Sequence, residues 1–292
     1  MYLGFIGFGE AAFELASGLN EQGIGKMKAY DPLWNVPEYS KLIRKRAKVS
    51  NVTMVESLEE VMKEVEAVIV AVPAHKALEV SEQLMSHVNN KSVYIDVSAA
   101  NPNVKKQISS NISNSGGKFV DAAMMGPLPV YKHRVPILAS GDGTDVFIEM
   151  MTVYGMNIEK VSEIPGEATA AKLIRSIYMK GIVGLYIELL EAAHHFNVEN
   201  LVIDSLSETI NGRTFEETMN RLVTGTALHA TRRSIELGGT IDMLESAKID
   251  SSMSIAAKAK IEKLALLNLK EKYHGEQPDH WRQVIEAFKV TT

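Results

Sequence analysis

The chain contains no cysteine, which excludes disulfides, thiolate chemistry and cysteine-bound zinc, and fits a reducing compartment. No charge of one sign dominates. The 31 basic and 36 acidic residues leave a net charge of -5, so nothing draws the molecule as a whole to nucleic acid or to an anionic membrane. The short basic run Arg44, Lys45, Arg46 reads as a solvated helix face. Long apolar runs are missing as well. The longest are broken by Lys, Glu or Gly, and no membrane span is expected. The first residues read as a strand, with no basic leader or cleavage site, and a cytoplasmic location is the default expectation. There is no His-Glu-x-x-His and no carboxylate-rich cluster. His194 and His195 are adjacent and so point to different faces, and no metal is expected. The absence of Gly-x-Ser-x-Gly removes the local signature of a serine hydrolase.

What is present is an ordinary globular composition, 46% hydrophobic and 23% charged over 292 residues, enough for one large or two moderate domains. Short apolar runs at Tyr2–Gly7, Lys26–Asp31, Val52–Val55, Ala67–Val72, Ser92–Val97, Phe119–Ala123 and Pro136–Ala139 predict strands. Helical patterns at Glu10–Gln22, from Ser57 and over His75–His87 fall between them, so the first half predicts an α/β fold with a parallel, doubly wound sheet. From Pro165 the character changes. Residues Pro165–Phe196 have no internal proline and predict one helix about 45 Å long. Further helices are expected near Val198–Ile210, Thr214–Glu236, Thr240–Ala247, Ser252–Leu267 and His280–Phe288. The expected organisation is thus a nucleotide-type domain over 1–164 and an all-α domain over 165–292, opened by a long interdomain helix.

Gly7-Phe8-Gly9-Glu10-Ala11-Ala12 has the form G-x-G-x-x-A between a strand and a helix, the context of a Rossmann dinucleotide fingerprint. The first glycine permits the tight turn, the second lets backbone approach a diphosphate, and the small third residue lets helix and strand pack closely. The helix N-terminus offers N–H groups and partial positive charge to the phosphates. Asp31 ends the second strand, where a carboxylate accepts from the ribose hydroxyls and repels a 2′-phosphate. NAD is therefore expected in preference to NADP. The alternative role for Asp31 is to start a turn with Pro32. The Val72-Pro73 turn should lie near the cofactor, with His75 and Lys76 as ordinary loop residues.

On these residues and three later segments, the chain resembles the β-hydroxyacid dehydrogenases, the family of 6-phosphogluconate and 3-hydroxyisobutyrate dehydrogenases. The nearer likeness is to a 6-phosphogluconate dehydrogenase-like branch with a C-terminal domain of unknown function. Asp96-Val97-Ser98-Ala99 is similar to the family's Asp-x-Ser-Thr, which implies that Ser98 lies by the nicotinamide and substrate. Asp121 to Pro127 is similar to Asp-Ala-Pro-Val-Ser-Gly-Gly. This implies that Met125, Gly126 and Pro127 form the substrate-carboxylate loop, with Met and Pro replacing Ser and Gly. Gly166 to Lys172 is similar to the Gly-x-x-x-x-x-Lys that delivers the family's catalytic lysine. The companion asparagine is replaced by Ser176, and the acid of 6-phosphogluconate dehydrogenase by Met179.

Lys172, Ser176 and Lys180 recur every fourth residue and share a helix face, beside apolar Leu173, Ile174 and Ile177. On the residues alone, Lys172 is either a snorkelling lysine or a desolvated general acid/base, with Lys180 as a neighbouring cation. The resemblance implies the second, with Ser176 beside it. In His229-Ala230-Thr231-Arg232-Arg233, either arginine can orient an acidic substrate or simply pair with Glu236. The expectation is a dehydrogenase or reductase moving hydride between NAD(P) and a small hydroxy acid or its keto form. The alternatives are reduction of imines or larger keto substrates, and a non-catalytic NAD(P) sensor or scaffold. The substrate is expected to be a small acidic metabolite, and the resemblance implies a homodimer.

Overall fold

The computed structural model describes residues Met1–Lys289. The chain runs β1 (Leu3–Ile6), α1 (Glu10–Glu21), β2 (Met27–Tyr30), α2 (Pro37–Val49), β3 (Val52–Met54), α3 (Leu58–Met62), β4 (Ala67–Val70), α4 (Ala77–Leu84) and β5 (Val93–Asp96). It continues with α5 (Pro102–Asn114), β6 (Lys118–Met124), α6 (Leu128–Tyr131), β7 (Ile137–Ser140), α7 (Thr144–Thr152) and β8 (Ile158–Ser162). After these come α8 (Glu167–His195), α9 (Glu199–Ile210), α10 (Phe215–Ser246), α11 (Ser252–Ala265), α12 (Leu269–Lys272) and α13 (Trp281–Lys289).

The strands form one sheet in the order β3-β2-β1-β4-β5-β6-β7-β8. All neighbours are parallel except β6 and β7. Alternate strand residues feed two separate cores. Leu3, Phe5, Ile69 and Ile95 pack on one face with α1, and Ile6, Val68, Val70 and Tyr94 on the other with α4 and α5. Burial on both faces is why these strands read as unbroken apolar runs. β8 was not expected, because its residues are polar and mostly exposed, as befits an edge strand.

The chain divides into two compact units, Met1–Ile177 and Tyr178–Thr292, with the division inside α8. The entry to α8 lies close to the expected boundary at Ile164. Its first turns belong with the sheet because they are bonded to it: Ser140 Oγ accepts from the Ala168 N–H and Asp121 from the Thr169 N–H. In the second unit the two helices expected over Thr214–Ala247 meet at His229, whose backbone leaves helical geometry and kinks α10, rather than between Glu236 and Thr240. Glu188 of α8 is buried there and caps α11 from outside, accepting from the N–H groups of Met253 and Ser254 and from the Ser254 hydroxyl.

Within the first unit, α1 packs closely on the segment after α6. A Cβ at Gly18 would lie 2.0 Å from Nδ1 of the buried His133. Gly18→Ala is expected to cost about 1–3 kcal/mol through overpacking, seen as a lower urea midpoint at constant slope; an unchanged midpoint would mean that the ring moves aside freely. Glu188→Ala strands two helix N–H groups and should cost about 1–3 kcal/mol, measurable as a fall in melting temperature.

Candidate coenzyme and active site

Register places the ends of β2, β1, β4 and β5 in one row, beside Asp121 in the middle of β6. Tyr30 of β2 pairs with Ile6, Ile6 with Val70, Val70 with Asp96, and Asp96 with Asp121. The loops leaving these positions carry Asp31, the glycine turn, Val72-Pro73 and Ser98, so the candidate cofactor residues gather at the carboxyl edge of the sheet, where open α/β sheets bind ligands.

The glycine turn fits a dinucleotide. Gly7 has φ +79°, and a Cβ there would meet the Ala71 carbonyl oxygen at 2.5 Å. Gly9 is the N-cap of α1, no side chain caps that helix, and a Cβ at Gly9 would meet nothing within 4 Å. The helix N-terminus therefore faces open space with backbone donors, the arrangement a diphosphate needs. Ala12 is buried where helix meets sheet, while Glu10 is exposed and Ala11 half-buried on the first turn. Phe8 contributes backbone only: its ring is buried against Phe5, and its N–H donates to Asp31 Oδ2 at 2.7 Å. The other oxygen, Oδ1, accepts from the Leu33 N–H at 2.9 Å. Asp31 thus forms the turn that was its alternative role and also braces the glycine loop. Each carboxylate oxygen keeps a further lone pair for a ribose hydroxyl.

Beside Ser98 lies a buried ionic cluster that the sequence reading missed. Lys105 of α5 is fully buried, with Nζ 3.1 Å from Asp96 Oδ2, 3.2 Å from Asp121 Oδ1 and 3.0 Å from the Asp96 carbonyl oxygen. The ammonium thus donates a hydrogen bond to the Asp96 carbonyl and pairs by charge with both carboxylates, while Asp96 Oδ2 accepts no hydrogen bond among the described residues. Asp96 Oδ1 accepts from the Ser98 N–H, fixing the turn that carries this serine. Asp121 accepts from both the backbone N–H and the hydroxyl of Thr169, at 2.8 and 2.6 Å. The cluster therefore joins the three segments on which the family resemblance was read. The available signal was an acid at the end of one strand, another within the next strand, and a lysine one turn into the helix between them.

Lys172 and Ser176 follow Thr169 along α8 at the spacing of one helix face. Both are half-buried, whereas Leu173, Ile174 and Ile177 are exposed. In the loop after β6, the Met125 N–H donates to the Pro136 carbonyl and Pro127 has no N–H, so Gly126 supplies the remaining backbone donor of the three.

Lys180, Arg232 and Arg233 belong to the second unit. Lys180 is exposed. Arg232 lies 3.4 Å from Glu236, the partner its alternative reading named, and Arg233 donates to Thr226 Oγ1. Among the described residues no group of three acidic or histidine side chains could hold a metal ion, and no helix is long and apolar enough to cross a membrane.

Comparison with known proteins matches residues 2–155 to the NAD binding domain of 6-phosphogluconate dehydrogenase, and residues 193–264 to a domain of unknown function, DUF1932. A conserved hypothetical protein from Sinorhizobium meliloti 1021 is 30% identical over 98% of this chain and 95% of its own, with a TM-score of 0.64. A conserved protein of unknown function, described as structurally similar to 3-hydroxyacid dehydrogenases, is 34% identical over 92% of this chain and 99% of its own, with a TM-score of 0.62. An imine reductase from Myxococcus stipitatus, a V8 variant in complex with NAD+, has the same fold at 14% identity, covering 98% of each chain with a TM-score of 0.75. The chain therefore belongs to the family that carries the NAD binding domain of 6-phosphogluconate dehydrogenase, and it is an NAD(P)-dependent oxidoreductase with a helical C-terminal domain.

Proposed function

We propose that the protein moves hydride between a nicotinamide coenzyme and a small hydroxy acid or its keto form, with Lys172 as the general acid/base. The observation that supports this reading is the buried cluster: Lys105, Asp96, Asp121 and Thr169 tie the strand before the Ser98 turn, strand β6 and the helix bearing Lys172 to one another. The coenzyme, held by Gly7, Gly9, the first turn of α1 and Asp31, supplies the hydride acceptor or donor. Lys172 takes the hydroxyl proton during oxidation, or gives a proton to the carbonyl in reduction. Ser176, on the same face, hydrogen-bonds the same oxygen. Asp31 supports NAD over NADP, because a 2′-phosphate would face its carboxylate.

A second reading, reduction of an imine, is favoured by the loop after β6. A carboxylate is best held by several convergent donors, and here the Met125 N–H is already used and Pro127 has none. A neutral or cationic C=N substrate needs fewer. A homodimer is also inferred. In the second unit α8 exposes Val183, Tyr186, Ile187 and Leu190, an apolar surface of the kind that marks an interface.

Lys172→Met should bind NADH as wild type does, by fluorescence titration, while turnover falls by about 100-fold or more. Near-wild-type activity removes lysine from the mechanism, and binding without turnover over panels of hydroxy acids and cyclic imines leaves a sensor. Asp31→Asn should shift the NADH-to-NADPH affinity ratio by about tenfold toward NADPH, and an unmoved ratio would show that Asp31 does not choose the coenzyme.

A further inference from the structure

We propose that Lys105, Asp121 and Thr169 form a positioning clamp that sets the rotation of α8 about its own axis and so aims Lys172; this rests on the acid/base reading of Lys172. Asp121 grips Thr169 at two points, the backbone N–H and the hydroxyl. One bond would fix the height of the first turn, and two also fix its angle. Successive residues turn by about 100°, so a small rotation carries Lys172 off the Thr169 face. Gly166 secures the entry to the helix: its φ is +92°, and a Cβ there would lie 2.7 Å from the Pro102 carbonyl oxygen at the start of α5, the helix that carries Lys105.

A purely structural account leaves the composition of the cluster unexplained. Three ionisable groups without solvent exposure stabilise a fold no better than apolar residues of similar volume. Asp96 and Asp121 are direct register partners on neighbouring strands, so their carboxylates repel unless a cation lies between them. The ammonium of Lys105 meets that need and holds Asp121 where it can reach Thr169. None of the three clamp residues touches the reacting atoms. They act through α8.

The test uses the full-length chain and the variants Thr169→Val, Thr169→Ser and Lys105→Met. Amine reactivity is read by acetylation with an N-hydroxysuccinimide ester and mass spectrometry, with exposed Lys45 and Lys91 as internal references. NADH affinity, kcat and KM are measured alongside. Thr169→Val should change the Lys172 acetylation rate by at least about fivefold against the references. It should also lower kcat by about tenfold to a hundredfold, with KM and NADH affinity nearly unchanged. Thr169→Ser keeps the hydroxyl and should restore both readouts. Lys105→Met should exceed Thr169→Val if it folds, and Thr169→Val decides the matter if it does not. An unchanged Lys172 rate in a folded Thr169→Val, or a Thr169→Ser that behaves like the valine variant, overturns the clamp. If Lys172→Met retains turnover while the reactivity shift persists, the acid/base reading falls and the clamp stands.

Discussion

A primary ammonium held out of water between two carboxylates is costly to build and costly to disturb. Removing one partner of such a cluster typically costs about 3–5 kcal/mol, since an uncompensated charge is left inside. Lys105 occupies that position between Asp96 and Asp121, and the geometry of the site follows from it. One carboxylate holds the Ser98 turn, and the other holds the start of α8. The sheet thereby fixes where α8 begins and turns its Thr169 face toward Asp121.

The glycine turn works by a complementary principle. Where the buried cluster ties its charged groups to one another, the first turn of α1 keeps its donors uncapped. Asp31 braces the loop through the Phe8 N–H without covering the helix terminus. The carboxyl edge of the sheet therefore joins a satisfied, rigid region to an open one. A binding site benefits from such a pairing, because the ligand meets prearranged partners and orders little on arrival.

Much of this was legible in the chain. Apolar runs of strand length separated by helical patterns gave the doubly wound sheet, and the proline-free stretch to Phe196 gave α8 within two residues at its start and one at its end. β8 escaped notice because an exposed edge strand carries little apolar signal. The kink at His229 escaped because nothing in the local sequence breaks a helix. In the site, the tight Gly7 turn and the hydrogen-bonding position of Asp31 at the end of β2 could be anticipated from type and spacing. Lys105 was not. A lysine in a polar stretch reads as solvated, and only strand register reveals two acids converging on it. Nor could the sequence tell that Ile174 and Ile177 would be exposed while Lys172 and Ser176 are half-buried, since a helix can turn apolar residues outward.

β7 runs against β6, with Met124 opposite Ile137. Residues 125–136 therefore leave and re-enter the sheet at the same edge, closed at the neck by the bond from the Met125 N–H to the Pro136 carbonyl. At its far end His133 rests on Gly18 of the coenzyme helix. Because β7 returns antiparallel to β6, the excursion needs no crossover helix, and its ends are set by the sheet alone. The neck bond and the contact with Gly18 tie its neck and its far end to different parts of the sheet domain.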